Sequence, residues 1–160
     1  MPLSEAAAFA REIHREPIDI TGLAKEVVRE IRAEEPSRKV KVEIAEGMKG
    51  SGDRRLVRIL LANLLNNAWK FTASEKEPRI EVGTEIVDGE SRVYVRDNGV
   101  GFDMIYVHRL FGAFQRLHSQ SDFEGAGIGL ATARRIINRH GGRIWAEGAV
   151  GEGATFYFVL

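Results

Sequence analysis

The stretch Asp53–Thr72, DRRLVRILLANLLNNAWKFT, decides the fold. Asp53 is an N-cap residue, and Val57, Leu60, Leu61, Leu64, Leu65 and Ala68 recur at helical spacing as one apolar face. Asn63, Asn67 and Lys70 fall at i, i+4 and i+7 and share a second stripe, which reads as lying roughly opposite the leucines. Asparagine lowers helix propensity, and positions 63, 66 and 67 all carry it. The stripe is either a solvated face or a ligand face. Amide oxygens are hard neutral donors, suited to a Mg²⁺ ion that keeps waters and phosphate oxygens. Lys70, one turn on, suits a phosphate as a point charge.

Upstream of this helix, Leu23, Val27, Val28 and Ile31 mark another, with Thr21 as its expected N-cap, and Val40, Val42 and Ile44 alternate as a strand over 38–46. Residues 1–17 are Ala/Glu/Arg-rich and read as the end of a preceding dimerisation helix or linker, leaving 18–160 as the domain. Downstream, strands at Ile80–Val87 and Arg92–Arg96 flank the hairpin signal Asp88-Gly89. A helix over Ile128–His140 ends at Gly141-Gly142, and strands close the chain at Arg143–Glu147 and Thr155–Leu160. Strands mixed with helices, without βαβ alternation, predict an α+β fold: a two-layer sandwich with helices on one face of a mixed, mainly antiparallel sheet.

The chain has 160 residues, no cysteine, and 23 basic against 23 acidic residues. Disulfide frameworks and thiol chemistry are thereby excluded, and the charge balance predicts no nucleic-acid partner. No apolar run reaches the ~18 residues of a membrane span, and MPLSEAAAFAREIH carries charges where a signal peptide is apolar. These features predict a cytoplasmic domain without direct membrane contact, in a parent that is either free or membrane-anchored. Glycine is the outlier: 17 residues, eleven of them between Gly99 and Gly153.

Two glycine-bearing segments carry chemistry. In RDNGVGFD (96–103) a carboxylate, Asp97, precedes Gly99 and Gly101; this is either a simple turn or a close backbone approach to a flat ligand, with the carboxylate accepting from an exocyclic amine. In GAGIGL (125–130), Gly125, Gly127 and Gly129 precede or open a helix whose N-terminus favours an anion. Six arginines and two acidic residues between Met104 and Arg143 add local positive charge. No GK[ST] follows a glycine run, and Leu130 stands where a dinucleotide fingerprint needs its third glycine. His14, His108, His118 and His140 lack metal-ligand spacing and read as surface or capping groups.

Together these pieces resemble the ATP-binding catalytic domain of sensor histidine kinases, in the GHKL ATPase superfamily with its Bergerat-type fold. NLLNNAWKFT looks like the N box, DNGVGF the G1 box, LFGAFQRLH (110–118) the F box, GAGIGL the G2 box and GEGATFYF (151–158) the terminal glycine box. The F box and the stretch from ATARRIINRHGGRIWAEGA onward are similar to phytochrome-like and PAS-linked kinases. The resemblance implies that Asp97 meets the adenine amine, with Gly99 and Gly101 shaping the pocket. It implies that Asn67 and Asn63 hold Mg²⁺, that Lys70 contacts phosphate and that Phe71 packs near the nucleoside. Gly125, Gly127, Gly129 and Leu130 would border the triphosphate below a lid tip at Ser119–Glu124, Arg116 would meet the γ-phosphate, and Thr155 would lie on the strand flooring the adenine pocket.

Hydrolytic members of the superfamily carry a glutamate one turn before the Mg-binding asparagine; here that residue is Asn63, which cannot act as a general base. Transfer to a protein histidine on a separate helical domain, then to a response regulator, is therefore the implied activity, in a homodimeric parent. The alternatives are a serine kinase of the anti-sigma type, a catalytically silent nucleotide-binding module and a hydrolytic ATPase.

Overall fold

The computed structural model describes residues 12–105 and 126–160, with backbone placement alone at Ala126–Ile128. Strand β1 (Glu16–Asp19) leads into α1 (Ile20–Glu34), β2 (Lys41–Ile44), β3 (Lys49–Gly52) and α2 (Arg54–Phe71). Then come β4 (Arg79–Val87), β5 (Glu90–Asp97), α3 (Ala126–Arg139), β6 (Arg143–Ala149) and β7 (Gly153–Val159). Five strands form one sheet in the order β2-β4-β5-β7-β6, parallel only between β2 and β4. The expected α+β sandwich, helices on one sheet face, is the fold observed.

Side-chain alternation builds the core. Ile80 and Val82 of β4, Val93 and Val95 of β5, Ala146 of β6, and Phe156 and Phe158 of β7 point inward and are buried. Leu56, Val57, Leu60, Leu61, Leu64 and Leu65 of α2 cover them, with α1 and α3 packed on either side of α2. Opposite, Tyr94, Tyr157 and Trp145 pair across β5, β7 and β6 on the outer face, where the Trp145 and Tyr157 rings stack at 5.3 Å. The β4–β5 turn places both Asp88 and Gly89 at positive φ, 52° and 79°, the pattern of a type I′ hairpin.

Three local expectations need correction. Residues 12–15 lie outside any helix, and Glu16 and Pro17 belong to β1, which pairs antiparallel with β3; the rest of the segment expected as a helix end or linker lies outside the described residues. Pro17 has no N–H for a helix interior but is tolerated in a short two-stranded ribbon. The N-cap of α1 is Asp19, whose carboxylate accepts from the Gly22 amide at 3.0 Å. Thr21 is inside the helix, and its hydroxyl donates to the Ala45 carbonyl (2.7 Å) and accepts from the Met48 amide (2.8 Å). Of the two expectations for His140, capping holds and surface exposure does not: Nδ1 lies 2.8 Å from the Ile136 carbonyl at the end of α3, but the ring is buried, Nε2 accepts from the Asp53 amide at 2.9 Å, and burial holds its pKa below the ordinary value. Asp53 caps α2 as expected, accepting from the amides of Arg55 and Leu56.

Candidate functional site

Helix α2 sets one wall. Asn63 is half-buried, Asn67 is only 4% exposed and Lys70 is exposed, so the polar stripe does not lie opposite the leucines. The reason is angular: Asn67 follows Leu60 by seven residues, close to two full turns, and shares its side of the helix. That side meets the start of α3. A Cβ on Gly129 would come to ordinary contact distance, 3.9 Å, from the Asn63 amide, so Asn63 faces the opening turns of α3. The Nδ2 atoms of both Asn63 and Asn67 are buried with no hydrogen-bond partner among the described residues. An orphaned buried amide costs about 1–3 kcal/mol, which a folded domain rarely tolerates without use.

The second wall is the end of β5. Asp97 is 5% exposed, and its Oδ1 accepts from the Gly99 amide at 2.8 Å. Burial pushes its pKa up, from an ordinary 3.8 to about 6; the backbone amides of Gly99 and Ala154 pull it back, and Glu75 adds to the rise. The loop beyond is clamped on two sides. The Val100 amide donates to the Phe71 carbonyl at 3.0 Å, and a Cβ on Gly99 would lie 2.1 Å from that same oxygen. Gly101 has φ +65°, and a Cβ there would lie 2.0 Å from the Ala149 carbonyl, so the loop fits only without side chains at both positions. Phe71 itself is 5% exposed.

The third wall is α3, which begins at Ala126 and not near Ile128. Gly127 and Gly129 therefore lie within its opening turns rather than in a free loop. The first four amides of a helix have no intrahelical acceptor, so this end still presents donors and the positive end of the dipole. Leu130 is fully buried in the core, so its side chain serves packing and not the rim of the site. Gly125, Arg116, the F box at 110–118 and the lid tip at 119–124 lie outside the described residues.

Thr155 lies on β7 beside the end of β5, the strand position expected for it. Asp97 pairs with Ala154 and Arg96 with Thr155. Strand alternation therefore puts Ala154 on the face of Asp97 and turns Thr155 to the outer face, where its hydroxyl accepts from Arg96 Nε at 3.3 Å. The one-residue offset within GATF was readable from Phe156 and Phe158, whose apolar side chains identify the inward positions. A cavity of about 500 Å³ opens at this end of the sheet, lined by Arg79, Glu81, Arg96 and Glu147 and reaching Asp97 and Thr155. Its two arginines are paired, Arg96 with Glu81 at 3.6 Å and Arg79 with Glu43 at 3.7 Å, whereas the orphaned amide nitrogens belong to α2. The helical side is thus the chemically unfinished one. It offers neutral amide groups, the N-terminal end of a helix and a carboxylate able to accept from an amine.

Comparison with known proteins gives this arrangement a context. Residues 52–160 match the family described as histidine kinase-, DNA gyrase B-, and HSP90-like ATPase. Cyanobacterial phytochrome A of Nostoc sp. is 46% identical over 110 residues, covering 69% of this chain and 14% of that protein. The methanogenesis regulatory histidine kinase FilI of Methanothrix harundinacea is 40% identical over 139 residues, covering 86% of this chain and 16% of that protein. The chain thus spans about one-seventh of the length of these curated relatives. Among solved structures, full-length ShkA in complex with AMPPNP superposes with a TM-score of 0.76 at 29% identity, covering 93% of this chain and 31% of that one. The mycobacterial sensor histidine kinase MprB, with a TM-score of 0.74 at 24% identity, covers 92% of this chain and 97% of its own and shares the fold.

Proposed function

Because the chain belongs to the histidine kinase-, DNA gyrase B- and HSP90-like ATPase family, we propose that it is the ATP-binding catalytic domain of a sensor histidine kinase. It passes the γ-phosphoryl group of ATP to a histidine on a separate helical domain, and the parent, a homodimer, hands it on to a response regulator. One observation carries the reading: the side-chain Nδ2 atoms of Asn63 and Asn67 on α2 are buried without a hydrogen-bond partner among the described residues, in a domain that also buries the carboxylate of Asp97.

Each residue then has a chemical task. Asp97 accepts from the adenine amine, and the Gly99 amide fixes the carboxylate that does so. Asn67 and Asn63 fit Mg²⁺, since rotation of either amide would present its oxygen to the ion and release the nitrogen from its unpaired burial. Bound there, the ion would offset charge on the phosphate oxygens. Lys70 meets phosphate from one turn further along α2, and the first amides of α3 hold the phosphate chain by the means open to any helix N-terminus. Arg116 is assigned to the γ-phosphate from the resemblance alone. In the transfer, the acceptor imidazole nitrogen forms the new N–P bond as the bond from the γ-phosphorus to the bridging oxygen breaks, and ADP leaves with that oxygen. The amide of Asn63 takes no proton from water, which favours transfer over hydrolysis.

Calorimetry with ATP, with and without Mg²⁺, on the chain and on Asn67→Ala tests the assignment. The variant should lose the Mg²⁺-dependent gain in affinity and, mixed with the acceptor domain, form no acid-labile phosphohistidine. An unchanged Mg²⁺ dependence together with full transfer would refute it.

A further inference from the structure

The last four carbonyls of a helix have no intrahelical donor. In α2 they carry the site, because Lys70 and Phe71 lie in this turn and the Asp97–Gly101 loop lands on it. Their partners come from several elements. Ala68 accepts from the Thr72 amide at 3.2 Å and from its hydroxyl at 2.8 Å; Lys70 accepts from the Ala73 amide at 3.2 Å; Phe71 accepts from the Val100 amide at 3.0 Å. Trp69 accepts from the Thr72 hydroxyl at 3.1 Å and also from outside the helix: Arg38, in the α1–β2 connection, donates from Nη1 to the Trp69 carbonyl at 2.6 Å and from Nη2 to the Thr72 hydroxyl at 3.3 Å. The Arg38 guanidinium also lies 5.8 Å from the Trp69 ring centroid, and that of Arg32 lies 5.6 Å from it. A cation at a helix C-terminus is favoured by the dipole, and a planar fork over an indole adds cation–π attraction.

We infer that Arg38 is a positioning residue for the nucleotide site: its two-point grip on the last turn of α2 sets the Phe71 carbonyl that anchors the Asp97 loop. The chain of contacts is short. Arg38 holds Trp69 and Thr72, the next carbonyl but one receives Val100, and the adjoining Gly99 amide holds Asp97 Oδ1. Glycine at 99 leaves the loop no slack, since any Cβ would strike the Phe71 carbonyl. A small rotation of this turn therefore displaces the loop instead of being absorbed. Lysine in place of Arg38 would keep a charge and one donor but lose the fork. The inference rests on the proposed ATP site.

The test compares the chain with Arg38→Ala and Arg38→Lys, reading ATP affinity by calorimetry well below the unfolding transition and amide exchange at Val100 against Val28 of α1. Loss of a charged, two-point contact should weaken ATP binding about tenfold in Arg38→Ala, with Arg38→Lys in between. Val100 exchange should quicken selectively in both variants. Should Arg38→Ala fail to fold, Arg38→Lys decides alone by the same two readings. A lower melting temperature with uniform exchange and unchanged ATP affinity would mean that Arg38 is merely structural, and would overturn the inference. Failure of the parent chain to bind ATP would instead overturn the reading of the site itself.

Discussion

Replacing Asp97 with asparagine separates the cost of the site from its use. The carboxyl is 5% exposed, and its pKa rises from 3.8 to about 6, chiefly through burial. The folded state therefore binds this proton more tightly than the unfolded chain. The stabilising share of the group is complete below pH 3.8 and is lost as pH rises through about 6. A rise of about two units corresponds to at most ~3 kcal/mol, so above pH 7 the ionised carboxylate burdens the unliganded domain by up to that amount. Asparagine has nearly the same shape, keeps an oxygen for the Gly99 amide and does not titrate. In denaturant titrations at pH 7.5, Asp97→Asn should gain up to about 3 kcal/mol over the parent, a rise in melting temperature of several degrees for a chain of this length. The gain should shrink below about 1 kcal/mol by pH 4. Nucleotide binding moves the other way, because an adenine amine needs an ionised acceptor. Parent affinity should fall about tenfold between pH 7.5 and pH 5, beyond any change in the variant, which binds weakly throughout. Titration of the ATP phosphates is common to both proteins and cancels in the comparison. Equal stability at both pH values, or identical pH profiles of binding, would refute the account of Asp97 as a strained, buried acceptor.

Two further substitutions probe the scaffold. Gly99→Ala puts a Cβ 2.1 Å from the Phe71 carbonyl, so the loop must move; it should destabilise the chain by on the order of 2–3 kcal/mol in thermal melts and abolish ATP binding at temperatures where the chain stays folded. Asp53→Ala removes the cap of α2 and the acceptor of the His14 amide at 2.9 Å; it should cost about 1–2 kcal/mol by chemical denaturation while leaving ATP affinity within about twofold, since the cap is at the far end of the helix from Lys70 and Phe71.

Much of this protein is legible in its sequence because much of its structure is local. The leucine stripe and Asp53 define α2, alternation defines β4, β5 and β7, and Asp88-Gly89 defines their hairpin, since each depends on residues a few positions apart. The order and spacing of the glycine and asparagine motifs locate the candidate site for the same reason. What tertiary structure decided are relations between distant segments. KGSG at 49–52 has no strand pattern of its own and becomes β3 only because Glu16–Asp19 lies beside it. Asn67 is buried although polar, and Leu130 enters the core because α3 packs against α2. Ala154 faces Asp97, and Thr155 faces away, through a register set jointly by β5 and β7; a shift of one residue would have exchanged their roles. The grip of Arg38 on Trp69 spans 31 residues and leaves no trace in either local pattern. Periodicity states which face of an element is apolar, but the element packed against it determines which polar side chain on that face is enclosed, and so where the chemistry can reside.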